Sequence, residues 1–214
     1  MCATGVFQGE ILLSQNSYVQ ALDWFLRHNI LANGYTLTRP IALDPYPQNS
    51  QYEALAFSID GQQVLYRKGH VTPDRPGHFL TIWKRSAGEG PDSKKTRPFE
   101  KPDLDYLFVE VHDHQTSKQG MFIFPLSVLL QKGVVRSEKA KGKMALRVFP
   151  PWTSSRGEEK SQVFSESAKR TQRWQCEYFV WMENNVITDF EKFARLFGAP
   201  LNSPCHVPFT RNCW

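Results

Sequence analysis

Cysteine is scarce in this chain, and the four present, Cys2, Cys176, Cys205 and Cys213, are scattered with no CxxC pair. That spacing excludes a disulfide scaffold and fits a reducing compartment. Cys205-His206 with Cys213 falls short of a zinc site, which needs four ligands in tight pairs. Long apolar runs are missing too: nowhere do about 18 apolar residues occur together, and Met1 to Glu10 shows no basic start followed by an apolar stretch. Neither export nor membrane insertion is indicated, so a cytoplasmic location is expected. A Walker-type phosphate loop, a dinucleotide-binding fingerprint and a nucleophile elbow are all absent, which disfavours nucleotide-dependent and acyl-transfer chemistry and implies no organic cofactor. There is no internal repeat.

What is present is a chain of 214 residues with 26 Lys and Arg against 21 Asp and Glu, a formal charge of +5 and a pI near 9.0. The length suits one domain spanning 1–214. The charge favours acidic partners, with nucleic acid first among them.

Hydrophobic periodicity supplies the elements. Val19, Leu22, Phe25, Leu26 and Ile30 recur at helical spacing from Ser17 to Leu31. Pro40, Pro45 and Pro47 then predict an extended connection from Arg39 to Ser50. Leu55 to Ile59 alternates, Asp60-Gly61 makes a hairpin turn, and Gln63 to Arg67 resumes the alternation. His78 to Lys84 is a third strand, giving three sequential antiparallel strands. The Gly, Pro, Ser and charge-rich segment 85–103 reads as a mobile loop. Leu104 to Val111 is apolar enough for a central strand covered on both faces. Gly120 to Phe124 is a strand stopped by Pro125, Leu126 to Gln131 a short helix, and Met144 to Phe149 a further strand ended by Pro150-Pro151-Trp152. Ser167 to Trp181 reads as a helix with Thr171, Trp174, Tyr178 and Trp181 on one stripe. A last helix follows the capping box at Thr188 to Glu191 and ends at Gly198, with 199–214 an irregular tail. The fold class expected is α/β (α+β), a central mixed sheet of five to six strands flanked by helices.

Three clusters carry candidate chemistry. Arg67, Lys68, His70 and Thr72 lie at one strand end, and Lys84 and Arg85 at the next; if the turn folds back they converge on a phosphate. Arg147 and Trp152, with Arg170, Gln172 and Arg173, interleave cations with an indole that stacks on a base; Trp174 sits on the apolar stripe and is assigned to the core, whereas Trp152, just after a Pro-Pro break, is expected to be exposed. Asp105, Glu110, His112, Asp113 and His114 carry metal-binding groups, but strand alternation sends Asp105 and Glu110 to opposite faces and the histidines read as a turn. The basic stretch Lys132 to Lys143, containing Arg136, Lys139 and Lys141, has only Glu138 opposing it.

Thr72-Pro73, Gly77 to Arg85, Phe122-Ile123-Phe124-Pro125, Arg147 to Trp152 and Thr171-Gln172-Arg173-Trp174-Gln175 together resemble the recurring blocks of the MepB family, over about Ser14 to Trp181. The resemblance implies a small cytoplasmic bacterial protein, sometimes encoded beside a multidrug efflux transporter, with a fold similar to restriction endonucleases. It favours a lysine where this chain has His70, so a fixed charge there becomes a titrating one. Nuclease chemistry of that type needs an acid and a (D/E)xK triplet to hold Mg²⁺ or Mn²⁺; the strand ending in Lys84 has Ile82 at the carboxylate position, leaving Glu53, Asp60 and Asp105 as the metal candidates. The leading expectation is therefore a binder of nucleic acid, DNA before RNA, that contacts backbone phosphates without efficient catalysis. The alternatives are a divalent-metal-dependent nuclease and an interaction protein that modulates a multidrug efflux system through the 85–103 loop.

Overall fold

The computed structural model describes residues 16–45, 47–85, 96–153 and 164–201. Its elements are helices α1 (Ser17–Phe25), α2 (Leu126–Gln131), α3 (Glu166–Glu177) and α4 (Phe190–Phe197). The strands are β1 (Leu37–Leu43), β2 (Leu55–Ile59), β3 (Gln62–Thr72), β4 (Arg75–Thr81), β5 (Trp83–Arg85), β6 (Thr96–Pro98), β7 (Tyr106–Asp113), β8 (Lys118–Pro125), β9 (Ala145–Val148), β10 (Phe179–Glu183) and β11 (Val186–Ile187). No described helix is long and apolar enough to cross a membrane.

The expected mixed sheet is present and larger than the sequence suggests. Nine strands join in the order β1-β2-β3-β7-β8-β10-β11, with β4 branching from β3 and carrying β9, while β5 and β6 form a separate two-stranded sheet. The additional strands come from segments whose composition hides them. β1 contains Pro40 within the stretch read as an extended connection, and it pairs with β2 through irregular register. Proline is tolerated there because an edge strand leaves one side of its backbone unpaired. β2, β3 and β4 form the predicted antiparallel meander. β3 runs parallel to β7, with Lys68 opposite Glu110.

Strand β7 is central, and from Tyr106 to Val111 only Glu110 interrupts its apolar run, because both faces are covered. On one face Val64, Tyr66, Phe108, Met121 and Ile123 pack beneath α1 and α4. On the other, Leu107, Val109, Val111, Phe122 and Phe124 meet Leu80, Ile82, Leu129, Val134 and Val135. The first helix continues past Phe25 as a π turn over Leu26–Ile30, where Asn29 is buried and its side chain reaches the backbone of Phe25 and of Asn185, Ile187 donating to its Oδ1. A buried amide that satisfies two chain segments at once fixes the end of this helix against β11.

The predicted helix through Trp181 stops four residues earlier. Tyr178 ends α3, and Phe179 opens β10, which pairs with β8 so that Trp181 lies opposite Gly120. A Cβ on Gly120 would sit 2.1 Å from Phe179 Cζ, so the missing side chain is what lets this ring lie across β8. Trp181 is thereby 41% exposed rather than part of a buried helical stripe. The final helix has Asp189 rather than Thr188 as its N-cap, accepting from the Lys192 N–H. The tail beyond Leu201 lies outside the described residues, as do Cys2, Cys205 and Cys213.

Candidate functional site

The cations expected to converge on a phosphate meet different fates. Arg67 is 1% exposed, because β3 alternation turns it onto the covered face of the sheet. Its Nη2 is 2.9 Å from Asp44 Oδ2, its Nη1 donates to its neighbour's carbonyl at Tyr66, and its guanidinium lies over the Phe99 ring. Burial pulls its pKa down to about 10, against the restoring charge of Asp44. Asn49 donates to the same Asp44 oxygen and accepts from Thr81, so the pair anchors the proline-rich connection to β3 and β4. Arg67 therefore offers nothing to a polyanion.

Lys68 points to the opposite face, 3.0 Å from Glu53. Beside it Tyr66 donates to Glu110, whose other oxygen accepts from Gln119. His70 is exposed but its ring bonds to the Gln51 carbonyl and packs on Tyr52. Thr72 accepts from Arg147, whose Nη1 also reaches the carbonyls of Arg75, Pro76 and Gly77. Arg147 thus closes the β3–β4 turn. Gln172 donates to the carbonyls of Pro150 and Thr153, making it a bracket for the turn that carries Trp152 rather than a surface contact. Gln175 is fully buried, accepting from the Phe149 N–H at 2.8 Å and donating to the Arg147 carbonyl at 3.1 Å. Trp152 is half-buried against Phe179, Trp181 and His78.

The metal candidates do not gather. Glu53 precedes β2 and Asp60 follows it, so the strand holds them at opposite ends. Asp60 accepts from the N–H groups of Thr36 and Leu201, and Asp105 from that of Gln63. Among the described residues no group of three His, Cys, Asp or Glu side chains is placed to hold a metal ion. As placed, these residues do not fit a divalent ion.

Charge accumulates elsewhere. The end of the expected third strand leaves β4 at Ile82 as β5 and pairs with β6 from the segment expected to be a loop, placing Lys84 opposite Arg97 and Arg85 opposite Thr96; residues 86–95 lie outside the described residues. Lys84 is held 2.7 Å from Asp103 and 3.5 Å from Glu100, and Glu100 also reaches Arg136. The Arg136 N–H donates to the Phe99 carbonyl, that of Ile82 to Met144, and Gly142 lies against Pro98. The β5–β6 ribbon, residues 99–103 and segment 132–143 are therefore one contiguous surface. It collects Lys84, Arg85, Arg97, Lys101, Lys132, Arg136, Lys139, Lys141 and Lys143 against Glu100, Asp103 and Glu138, while the whole chain has a formal charge of only +5. The other described residues are together close to neutral.

This surface is grooved. An open groove of about 560 Å³ runs between α2 and the following segment, lined by Ser127, Leu130, Gln131, Gly133, Ser137, Glu138, Lys139 and Ala140. A second, of about 430 Å³, adjoins it at Ser137 and Glu138 and is lined by Glu100, Lys101, Pro102 and Arg136. The Lys132 ammonium lies 5.3 Å from the Trp174 ring centre, joining the surface to α3, where Arg170 and Arg173 are exposed. Arg97 and Lys101 escape sequence reading because they fall in a segment without apolar period, and β6, three residues ending in Pro98, carries no local strand signal.

No curated protein matches the chain. Among solved structures, a crystal structure of MepB is similar over 79% of this chain and 99% of its own, at 27% identity and a TM-score of 0.59. A bacterial homing endonuclease is similar over 66% of this chain and 84% of its own, but at 16% identity and a TM-score of 0.30 that likeness supports no conclusion. The family profile described as MepB-like matches residues 46–181, well over half the sequence, and the chain belongs to the MepB-like family.

Proposed function

We propose that this protein binds nucleic acid through its backbone phosphates, at the surface formed by the β5–β6 ribbon and segment 132–143, without efficient catalysis. The observation that carries the reading is the concentration of the chain's net positive charge on this one grooved surface, where Lys139, Lys141 and Lys143 are exposed. Lysine and arginine side chains that neutralise phosphates release counterions, so affinity falls steeply with salt. Arg85 and, across Trp174, Arg170 and Arg173 extend the same contact surface. Lys84 serves it indirectly, since its bridges to Asp103 and Glu100 hold the ribbon in place.

The test is a fluorescence titration of the protein against random-sequence duplex and single-stranded DNA at two ionic strengths. Binding at low salt with a strongly negative slope of log affinity against log salt is expected, and Lys139→Glu with Lys141→Glu should flatten that slope by about 2. An absence of binding at low salt eliminates the proposal.

A further inference from the structure

The two adjoining grooves are fixed from both sides before anything enters them. On one wall α2 gives way to Gly133, whose φ of 62° lets the chain reverse, and the N–H groups of Lys132, Gly133 and Val134 donate back to the carbonyls of Val128, Leu130 and Leu129. On the other wall Ser137 and Ala140 exchange backbone hydrogen bonds in both directions, closing a tight turn with Glu138 and Lys139 at its tip. The stretch joining the walls is pinned by Val134 and Val135, both buried, and the Lys143 N–H donates to the Val134 carbonyl. Gly133 and Ala140 line the larger groove with almost no side chain; a Cβ on Gly133 would already lie 3.4 Å from that of Ala140. Charge is set unevenly around this space. Lys139, Lys101 and Arg136 line the grooves and are exposed. Glu138 lines both and is bridged by no described cation, whereas Glu100 and Asp103 close on Lys84.

We infer that the grooves bind single-stranded DNA, an unpaired base entering the larger one so that its amino edge donates to the Glu138 carboxylate while Lys139, Arg136 and Lys101 take the phosphates on either side. The inference rests on the nucleic-acid reading above and names its substrate class. A groove of about 560 Å³ has the size of a small-ligand site. A duplex keeps its bases stacked within and would meet such a groove only at the rims, where Glu138 opposes its phosphates. An unpaired strand turns its bases outward, and the apolar lining of Leu130, Gly133 and Ala140 receives a ring. The position of Glu138 decides between the two forms. A carboxylate among so many cations weakens a site built for phosphate alone, but toward an amino group it is an acceptor. Cytosine offers N4–H₂ to such a group, and thymine carries the O4 acceptor in that place.

The experiment uses the full chain with labelled oligodeoxycytidine, oligodeoxythymidine and a random duplex of equal length, at neutral pH and low salt. Tighter binding to the single strands than to the duplex is expected, with oligodeoxycytidine about tenfold ahead of oligodeoxythymidine. Ala140→Leu, which fills the groove and leaves every charge in place, should bring single-strand affinity down to that of the duplex. Glu138→Ala should abolish the preference for cytosine and leave oligodeoxythymidine bound at least as tightly as before. Thermal melts accompany both variants; Glu138→Ala, at an exposed turn, carries the test if Ala140→Leu loses its fold. Duplex affinity equal to or above single-strand affinity, or a Glu138→Ala gain shared equally by all three forms, overturns the groove assignment while leaving phosphate binding intact. No binding of any form by the unaltered protein overturns the polyanion reading itself.

Discussion

Arg67 and Lys139 carry the same charge and meet opposite environments. Arg67 lies under the sheet, paired with Asp44 and stacked on Phe99, while Lys139 lines an open groove. Both stand in stretches of sequence where basic residues cluster, so composition alone ranks them alike. The difference is made by the partner. A cation on the covered face of a strand survives only where a carboxylate is brought to it from elsewhere, and here Asp44 comes from the proline-rich connection more than twenty residues earlier. The molecule thus spends one group of cations on holding its own chain together and leaves another to solvent.

The sharpest way to break that contrast is to remove the carboxylate. Asp44→Ala strands a buried guanidinium and should lower unfolding stability by about 3–5 kcal/mol in urea titrations. Lys139→Ala, made in parallel, should change it by no more than ~0.5 kcal/mol. Similar losses for the two would erase the distinction between the regions.

Acid should expose the buried side of the comparison next. His78 is buried, with Nδ1 unpartnered and Nε2 3.4 Å from the His112 carbonyl, and its pKa is lowered from 6.5 to about 4, chiefly by desolvation. Asp113 opposes that shift, whereas His70 and Arg147 add to it. Because the unfolded chain takes up the proton first, the stabilisation is complete above pH 6.5 and drains away as pH falls toward 4, by up to ~3 kcal/mol. Urea midpoints at pH 7.5 and pH 4.5 should show the decline, and His78→Leu should make it shallower.

A smaller effect separates the two glutamines of α3. Gln175→Leu leaves a buried N–H at Phe149 and the carbonyl of Arg147 without partners, at a cost of about 1–3 kcal/mol. Gln172→Ala, whose contacts are only partly buried carbonyls of the Trp152 turn, should cost about 1 kcal/mol, with no loss of DNA affinity beyond the destabilisation. Reduced affinity in a folded Gln172→Ala protein would return that residue to the interface.

Most of the framework is legible in the residues. The Leu55–Ile59 and Gln63–Arg67 alternation, the apolar β7 run and the Leu126–Gln131 helix all fall where periodicity puts them. Two things are not legible. Helical spacing continues across Tyr178 into Trp181, so the change of period at Phe179 is dictated by pairing with β8 and by the space above Gly120, neither of which is local information. Likewise, the expected strand His78–Lys84 does not run through: it breaks at Ile82, Trp83 and Lys84 pass into β5, and β6 inside the expected loop is too short to show alternation. Candidate residues were found as types but not as a site. Lys84, Arg85 and the 132–143 lysines were each visible, yet only the hydrogen bonds between Arg136 and Phe99 and between Ile82 and Met144 bring them onto one surface.

The carboxamide of Gln175 has a consequence for the protein in crowded solution. Strand β9 pairs with β4 on one side alone, and the backbone groups of Arg147 and Phe149 would otherwise be open to a strand from another molecule. By satisfying both groups from within the chain, one side chain denies that border to intermolecular pairing, the route by which uncovered sheet margins seed aggregates.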